Sequence, residues 1–162
     1  MRLLIVRHAI ALPRGAPGVA DAERPLTPRG RRRFERAARG LARALPRPDF
    51  LLTSPWKRAR QTAEILAAAY GRLEPLDTPA LAGGSFEALA RVLAGYPEDA
   101  MVAVVGHEPW LSGLLARLLG SSEDGRLEFK KGGAALVDIE GRLEDGGRLV
   151  AYLPPKLMRR LR

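Results

Sequence analysis

Cysteine is absent from this chain of 162 residues, which excludes a disulfide framework, a thiolate metal site and a cysteine nucleophile. Apolar runs are also short, well below the roughly 18 to 20 residues that cross a bilayer. The first ten residues carry Arg2, Arg7 and His8, where a signal peptide would need an uninterrupted apolar segment. These absences predict a cytoplasmic protein with no membrane partner.

Positive charge, by contrast, is abundant. The 27 Lys and Arg residues exceed the 18 Asp and Glu residues and give a net charge of +9. Such a balance suits nucleic acid, a membrane surface or an anionic substrate. Many of the arginines fall in one segment, between Arg29 and Arg43. Because no RNA-binding or DNA-binding motif accompanies them, we favour the solvated face of an amphipathic helix over a nucleic-acid surface.

Short apolar runs alternate with segments of helical periodicity along most of the chain. Strands are predicted at 2–7, 49–53, 73–76 and 101–105, and helices at 28–45, 54–70, 85–94 and 110–119. Two later runs, 134–139 and 147–153, predict an antiparallel hairpin. The pattern predicts an α/β fold, a three-layer sandwich with a mostly parallel central sheet and an antiparallel C-terminal edge. We expect residues 1–162 to form one domain.

The only two histidines both follow predicted strands. His8 comes directly after the first strand, and His107 comes just after the strand at 101–105. Either one alone is more often a structural histidine than a functional one. Ligands of open α/β sheets bind outside the carboxyl ends of the strands, so the pair together indicates a site.

Two arginines extend this candidate site. Arg7 precedes His8, and Arg58 lies in the first turn of the helix that follows the strand at 49–53. Guanidinium groups and helix N-termini both suit phosphate oxygens. A neutral imidazole in such a pocket is a nucleophile that can accept a phosphoryl group. The sequence therefore predicts an anion pocket with the capacity for phosphoryl transfer.

These residues lie in short motifs that resemble a known family, the histidine phosphatase superfamily, which includes the cofactor-dependent phosphoglycerate mutases. The motifs are Arg7-His8-Ala9, Ser54-Pro55 with Arg58-Ala59-Arg60-Gln61-Thr62-Ala63, and Gly106-His107-Glu108-Pro109. A further segment, Asp21 to Gly30, resembles the Asp-x-x-Arg-Pro-Leu-Thr-x-x-Gly stretch of the short SixA-type phosphohistidine phosphatases. The resemblance implies a phosphoglycerate mutase-like fold. It spans most of the chain.

The resemblance implies a role for each matching residue. His8 would be the phosphorylated nucleophile, Arg7 and Arg58 would clamp the phosphoryl oxygens, and His107 would donate a further hydrogen bond. Arg24 is an additional candidate for substrate binding. Neither a cofactor nor a metal is expected, because two histidines and no cysteine leave few ligands for a metal.

Two features depart from the superfamily pattern. Ala9 replaces the glycine that commonly follows the nucleophile. The stretch 79–85 also lacks the general-acid glutamate of the mutase-like members. An alkoxide leaving group needs a proton donor, whereas imidazole, with a pKa of about 6.5, needs one less. The missing glutamate therefore favours phosphohistidine as substrate, although Asp21, Glu87 or Glu108 could still supply a proton.

The predicted function is a metal-independent phosphohistidine phosphatase, but alternatives stay open. Only residues 72–100 separate the second helix from the strand at 101–105, too few for the capping insertion of larger relatives. A phosphohistidine-bearing phosphotransfer protein or a small phosphorylated substrate would fit an open rim. The alternatives are a broad-specificity phosphomonoesterase and a non-catalytic module that binds phosphate or nucleic acid. Ser54 is interpreted as a helix cap, because no Gly-x-Ser-x-Gly elbow is present.

Overall fold

Six strands form one mixed sheet at the centre of the molecule. The computed structural model describes residues 1–71, 73–121 and 127–161. The strands are β1 Arg2–Arg7, β2 Phe50–Thr53, β3 Pro75–Asp77, β4 Met101–Gly106, β5 Ala134–Asp138 and β6 Arg148–Leu153. Their spatial order is β3-β2-β4-β1-β5-β6. The fourth strand of the chain is thus inserted between the first and the second.

Strand direction divides the sheet into two parts. The pairs β1/β4, β2/β4 and β2/β3 are parallel, whereas β5 runs antiparallel to both β1 and β6. Arg7 of β1 lies opposite Gly106 of β4, and Thr53 of β2 lies opposite Val105. The carboxyl ends of three strands therefore meet at one edge. This topology confirms the predicted parallel sheet with an antiparallel C-terminal edge.

Helices cover both faces of the sheet. They are α1 Pro28–Ala44, α2 Lys57–Tyr70, α3 Phe86–Leu93, α4 Trp110–Leu118 and the single turn α5 Pro155–Met158. Alternate residues of β1 face opposite layers: Leu4 packs in the cluster that contains residues of α1, α2 and α5, and Ile5 in the cluster that contains residues of α3 and α4. The three-layer sandwich is confirmed. Within the described residues, no helix combines the length and apolarity that crossing a membrane requires.

Some element boundaries differ from the sequence prediction. The third strand occupies Pro75–Asp77 rather than 73–76, and its three residues pair with residues 51–53 of β2. The second helix begins at Lys57 with Trp56 at its N-cap, so Ser54 does not cap it. The loop 10–26 also contains a 3-10 turn, Asp21–Glu23, and a bridge between Ala11 and Leu26.

The segment 21–30 closes this loop against α1. Thr27 is the N-cap of α1, and its hydroxyl oxygen accepts a hydrogen bond of 2.9 Å from the backbone N–H of Gly30. A Cβ atom on Gly30 would lie 2.0 Å from the carbonyl oxygen of Ile10. The threonine and the glycine of the motif therefore start the helix and let the preceding loop approach it closely.

Candidate active site

His8 lies at the carboxyl end of β1 with a defined orientation. Its backbone N–H donates to the carbonyl oxygen of Gly106 at 3.0 Å. The residue is buried, with 7% of its surface exposed. Imidazole Nδ1 lies 2.7 Å from the carbonyl oxygen of Ala9. A carbonyl oxygen only accepts, so Nδ1 carries the proton and Nε2 carries the lone pair. The Nε2 lone pair accepts from Nε of Arg58 at 3.3 Å.

Arg58 is held rigidly beside His8. It lies in the first turn of α2 and is 2% exposed. Its two Nη atoms donate to Asp21, one to the carbonyl oxygen at 2.6 Å and the other to Oδ2 at 3.2 Å. The guanidinium carbon also lies 4.6 Å from the ring centroid of Trp56. These contacts aim Nε of Arg58 at His8 before any ligand arrives.

Asp21 and Arg24 support Arg58 from the loop. Arg24 is 8% exposed, and it donates to Oδ1 of Asp21 at 2.9 Å and to the carbonyl oxygen of Leu12. Burial opposes ionisation of Asp21, but the hydrogen bond from Arg24 and the charges of Arg58, Arg24 and Arg14 hold its pKa below the ordinary value. The structure thus joins Arg24 to His8 through Asp21 and Arg58 rather than by direct contact.

Arg7 reaches the site from the other side. Its side chain is 15% exposed, and Nη1 donates to the carbonyl oxygen of Phe129 and lies 3.7 Å from Oε1 of Glu128. Nε of Arg7 is buried and has no hydrogen-bond partner within the part of the chain that the structure describes. This N–H is therefore available to an oxygen atom of a ligand.

His107 lies beside His8 and is hydrogen-bonded to Ser54. The ring centroids of the two histidines are 5.1 Å apart, and the ring of Trp56 lies 4.7 Å from that of His107. Oγ of Ser54 lies 2.8 Å from Nε2 of His107 and accepts from the backbone N–H of Trp56 at 3.3 Å. We assign His107 the tautomer with its proton on Nδ1, in which the hydroxyl of Ser54 donates to Nε2. This buried Nδ1 has no partner among residues 1–71, 73–121 and 127–161.

The interpretation of Ser54 as a helix cap was wrong. Ser54 is fully buried and contacts His107, because β2 pairs with β4 and the residues that follow the two strands are neighbours. Only the strand order could have revealed this contact. The Ser54-Pro55 motif was the sequence signal, but its position beside a histidine depends on which strand lies next to β2.

Burial keeps both histidines neutral. Loss of solvent, together with the charges of His107, Arg58 and Arg7, lowers the pKa of His8 to about 3, although the hydrogen bond to Ala9 acts in the opposite direction. Burial, with a further contribution from Arg58, likewise lowers the pKa of His107 to about 3. At neutral pH, Nε2 of His8 therefore has a free lone pair, as a nucleophile needs.

These shifts predict a specific dependence of stability on pH. Between the native pKa near 3 and an unfolded pKa of about 6.5, the unfolded chain binds more protons than the native one, so stability falls as the pH falls. We expect a loss of about 2 kcal/mol from each histidine between pH 7 and pH 5. Urea unfolding across this range measures it. His8→Gln should remove about half of the dependence, and a flat profile for the wild type would contradict the prediction.

The three candidate proton donors lie in different surroundings. Glu108 accepts hydrogen bonds from the hydroxyl of Ser112 at 2.7 Å and from the backbone N–H of Phe129 at 2.9 Å. Glu87 is exposed and forms an ion pair of 2.9 Å with Arg117. Asp21 contacts Arg58, which in turn contacts His8, but its lowered pKa keeps it ionised. The structure thus gives each carboxylate a hydrogen-bond or ion-pair partner.

The assembled pocket suits a tetrahedral oxyanion. A nucleophilic nitrogen on His8 contacts Arg58. Two buried donors on neighbouring residues, Nε of Arg7 and Nδ1 of His107, have no partner in the described part of the chain. Buried N–H groups are costly to leave unpaired, so an anion that accepts from them is bound well. Across the described residues, no three His, Cys, Asp or Glu side chains group as metal ligands do.

Comparison of the sequence with protein families gives one match. The model for the histidine phosphatase superfamily, branch 1, matches residues 3–88. This match includes Arg7, His8 and Arg58. An uncharacterized protein of Picosynechococcus sp. is 39% identical over 138 residues, covering 82% of each chain. One of Mycobacterium tuberculosis is 35% identical over 136 residues, covering 79% of this chain and 84% of its own.

Solved structures resemble this one over almost the whole chain. A candidate phosphohistidine phosphatase SixA from Agrobacterium tumefaciens has a TM-score of 0.81 at 27% identity, covering 95% of this chain and 97% of its own. The protein histidine phosphatase SixA in complex with tungstate has a TM-score of 0.81 at 25% identity, with coverage of 96% and 98%. Both similarities cover at least 95% of this chain.

Proposed function

Since this chain belongs to branch 1 of the histidine phosphatase superfamily, we propose that it is a metal-independent phosphatase that works through a phosphorylated His8 and acts on phosphohistidine in a partner protein. The observation that carries the proposal is the orientation of His8. Its proton is on Nδ1, and its Nε2 lone pair points to Arg58 in an anion pocket. We extend the proposal to one domain over residues 1–162, without a capping insertion, and its cytoplasmic setting stays a prediction.

The reaction has two displacements. In the first, Nε2 of His8 attacks phosphorus, the new N–P bond forms, and the bond from phosphorus to the substrate's imidazole breaks. The substrate's imidazole carries a proton on its other ring nitrogen, so it leaves as neutral imidazole. In the second, water attacks phosphorus, the bond to His8 breaks, and inorganic phosphate departs. His8 returns to its neutral form.

Three donors stabilise the charge that moves through these steps. Phosphorus approaches Nε2 of His8 where Nε of Arg58 now lies, and the Arg58 N–H turns to a phosphoryl oxygen. Nε of Arg7 and Nδ1 of His107 have no partner among the residues that the structure describes, so each can donate to a phosphoryl oxygen without first breaking another hydrogen bond. Phosphoryl transfer depends mainly on positioning and charge stabilisation, and cationic arginine supplies both without a metal.

The state of the carboxylates favours an N–P bond as substrate. Both carboxylate oxygens of Glu108 accept hydrogen bonds, one from Ser112 and one from Phe129. The positive charges of Arg24 and Arg58 keep Asp21 ionised. An alkoxide leaving group needs a strong proton donor, whereas imidazole leaves with a pKa of about 6.5. The similarity to SixA structures over nearly the full chain supports the same substrate class.

A comparison of two substrates tests the proposal. One is a phosphotransfer protein phosphorylated on histidine, and the other is glycerol phosphate, an alkyl ester. Each is assayed with and without EDTA. We expect kcat/KM to be at least about 100-fold higher for phosphohistidine, a difference of about 2.7 kcal/mol in barrier, with no effect of EDTA. Equal rates would favour the broad phosphomonoesterase, and loss of activity in EDTA would overturn metal independence.

Ser54→Ala provides a test of how His107 is oriented. The variant loses the hydroxyl that lies 2.8 Å from Nε2 of His107, so the proton of His107 no longer stays on Nδ1. We expect kcat/KM to fall about 10-fold, as for other residues that orient a ligand-binding histidine. Ser85→Ala is the control, because Ser85 caps α3 on the surface. Unchanged activity in Ser54→Ala would show that His107 needs no orienting hydroxyl.

A further inference from the structure

A second concave surface lies beside the active site, and we call it the basic groove. It has a volume of about 510 Å³ and runs between α1, the loop 128–132 and the turn α5. Arg33, Lys130, Lys131, Lys156 and Arg159 contribute to its walls. His8, Arg58 and His107 do not line it. The groove therefore adjoins the phosphoryl pocket and shares only Arg7 with the four residues assigned to it.

The charge of the basic groove is strongly one-sided. Six cationic side chains line it, those named above together with Arg7, against one carboxylate, Glu128. Other arginines lie near Arg159. Burial lowers the pKa of Arg159, and the positive charges of Arg33, Arg36 and Arg160 also lower it. Like charges held this close repel each other. A bound anion would relieve that repulsion.

The floor of the groove is apolar. Ile10, Phe34, Pro154 and Pro155 line it between the cations, and Phe34 is held against the loop by Gly132, where an added Cβ would lie 3.0 Å from the phenyl ring. A concave site of a few hundred Å³ with an apolar floor and a few charged groups is typical of small-molecule sites. Its size and lining suit a molecule that has an apolar body as well as anionic groups.

We propose that the basic groove binds a small organic polyanion of the nucleoside polyphosphate class. The phosphates lie against Arg33, Lys131, Lys156 and Arg159, and the apolar body covers Phe34 and Pro155. The loop 128–132, which forms one wall, is hydrogen-bonded to the backbone of the active site. The N–H of Gly132 donates to the carbonyl oxygens of Arg7 at 3.2 Å and of His8 at 3.0 Å. The ligand therefore binds next to the nucleophile without occupying its pocket.

Calorimetry with ATP as the probe tests the proposal. We expect ATP to bind the wild type, and the double variant Lys131→Glu/Lys156→Glu to bind it at least about 10-fold more weakly, a change of 1.4 kcal/mol. Both lysines are exposed, so their replacement leaves the core intact. Arg43→Glu is the matched control, since Arg43 is an exposed residue of α1 outside the groove. It should change the affinity less than about twofold.

Two further arms separate the groove from other anion sites. Arg58→Ala removes the main cation of the phosphoryl pocket, and it should leave ATP affinity unchanged. Inorganic tripolyphosphate lacks the apolar body, and it should bind more weakly than ATP. The proposal is overturned if Arg58→Ala weakens ATP binding and the double lysine variant does not, or if Arg43→Glu is as damaging as the double variant. Tripolyphosphate binding as tightly as ATP also overturns it. None of these results depends on the proposed phosphatase substrate.

Discussion

His8→Ala is expected to lower kcat at least about 1,000-fold with phosphohistidine or an aryl phosphate as substrate. The variant removes Nε2 of His8, an unprotonated nitrogen that contacts Arg58 in the anion pocket. Without it, no covalent intermediate forms, and water must attack the substrate directly. The measurement is steady-state turnover together with trapping of the phosphoenzyme from radiolabelled substrate. We expect labelled wild type and no label on His8→Ala.

His107→Ala is the matched comparison for this experiment. It removes a second imidazole that is buried to almost the same extent, 8% exposed against 7% for His8, but it leaves the nucleophile in place. Its turnover should be slow, yet label should still accumulate on His8. Label on His8→Ala, or kcat above about 1% of the wild-type value, would show that another residue is the nucleophile.

Arg58→Ala should lower kcat/KM by about 100-fold to 1,000-fold, the range found when one donor to a developing oxyanion is removed. Arg58 is 2% exposed and contacts His8 directly. Arg58→Lys should recover little of the loss. A lysine has a single nitrogen in place of the planar fork, and it cannot contact Asp21 through two nitrogens while pointing a third at His8.

Arg60→Ala is the control for Arg58. Arg60 lies on the same helix, but its guanidinium forms ion pairs with Glu64 and Asp77 at the surface. Pairs of this kind contribute little to stability, so kcat/KM should change less than about twofold. Steady-state kinetics of the three variants on one substrate decides the matter. Full recovery of activity in Arg58→Lys would mean that charge alone is needed there.

The position of the histidines could be predicted because the strands carry a clear signal. Apolar runs at 2–7 and 101–105 mark two buried strands, and His8 and His107 follow them directly. Ligands gather at the carboxyl ends of parallel strands, so no contact information was needed to place the two imidazoles together. Arg7 and Arg58 were predicted from the same rule, since one ends a strand and the other begins the helix after a strand. The resemblance of the short motifs then gave these residues their roles.

The contacts that orient those residues could not be predicted. Asp21 holds Arg58 across 37 positions of sequence, and Ser54 meets His107 across 53. Both contacts depend on the path of a loop and on the order of the strands, and the hydrophobic periodicity of the sequence predicts neither. Arg24 was therefore predicted as a substrate ligand, whereas its donors go to Asp21 and Leu12. Local patterns report local geometry, and long-range hydrogen bonds need the fold.

The insertion of β4 between β1 and β2 determines when the site can form during synthesis. β1 and β2 are synthesised before β4, and they do not pair with each other in the sheet. Until residues 101–106 emerge, the two strands lack the partner that joins them, and His8 and Arg58 have no fixed distance. A nascent chain that ends before residue 101 therefore carries most of the site's residues but no pocket. The active site can therefore form only after β4 has been synthesised, long after the nucleophile His8.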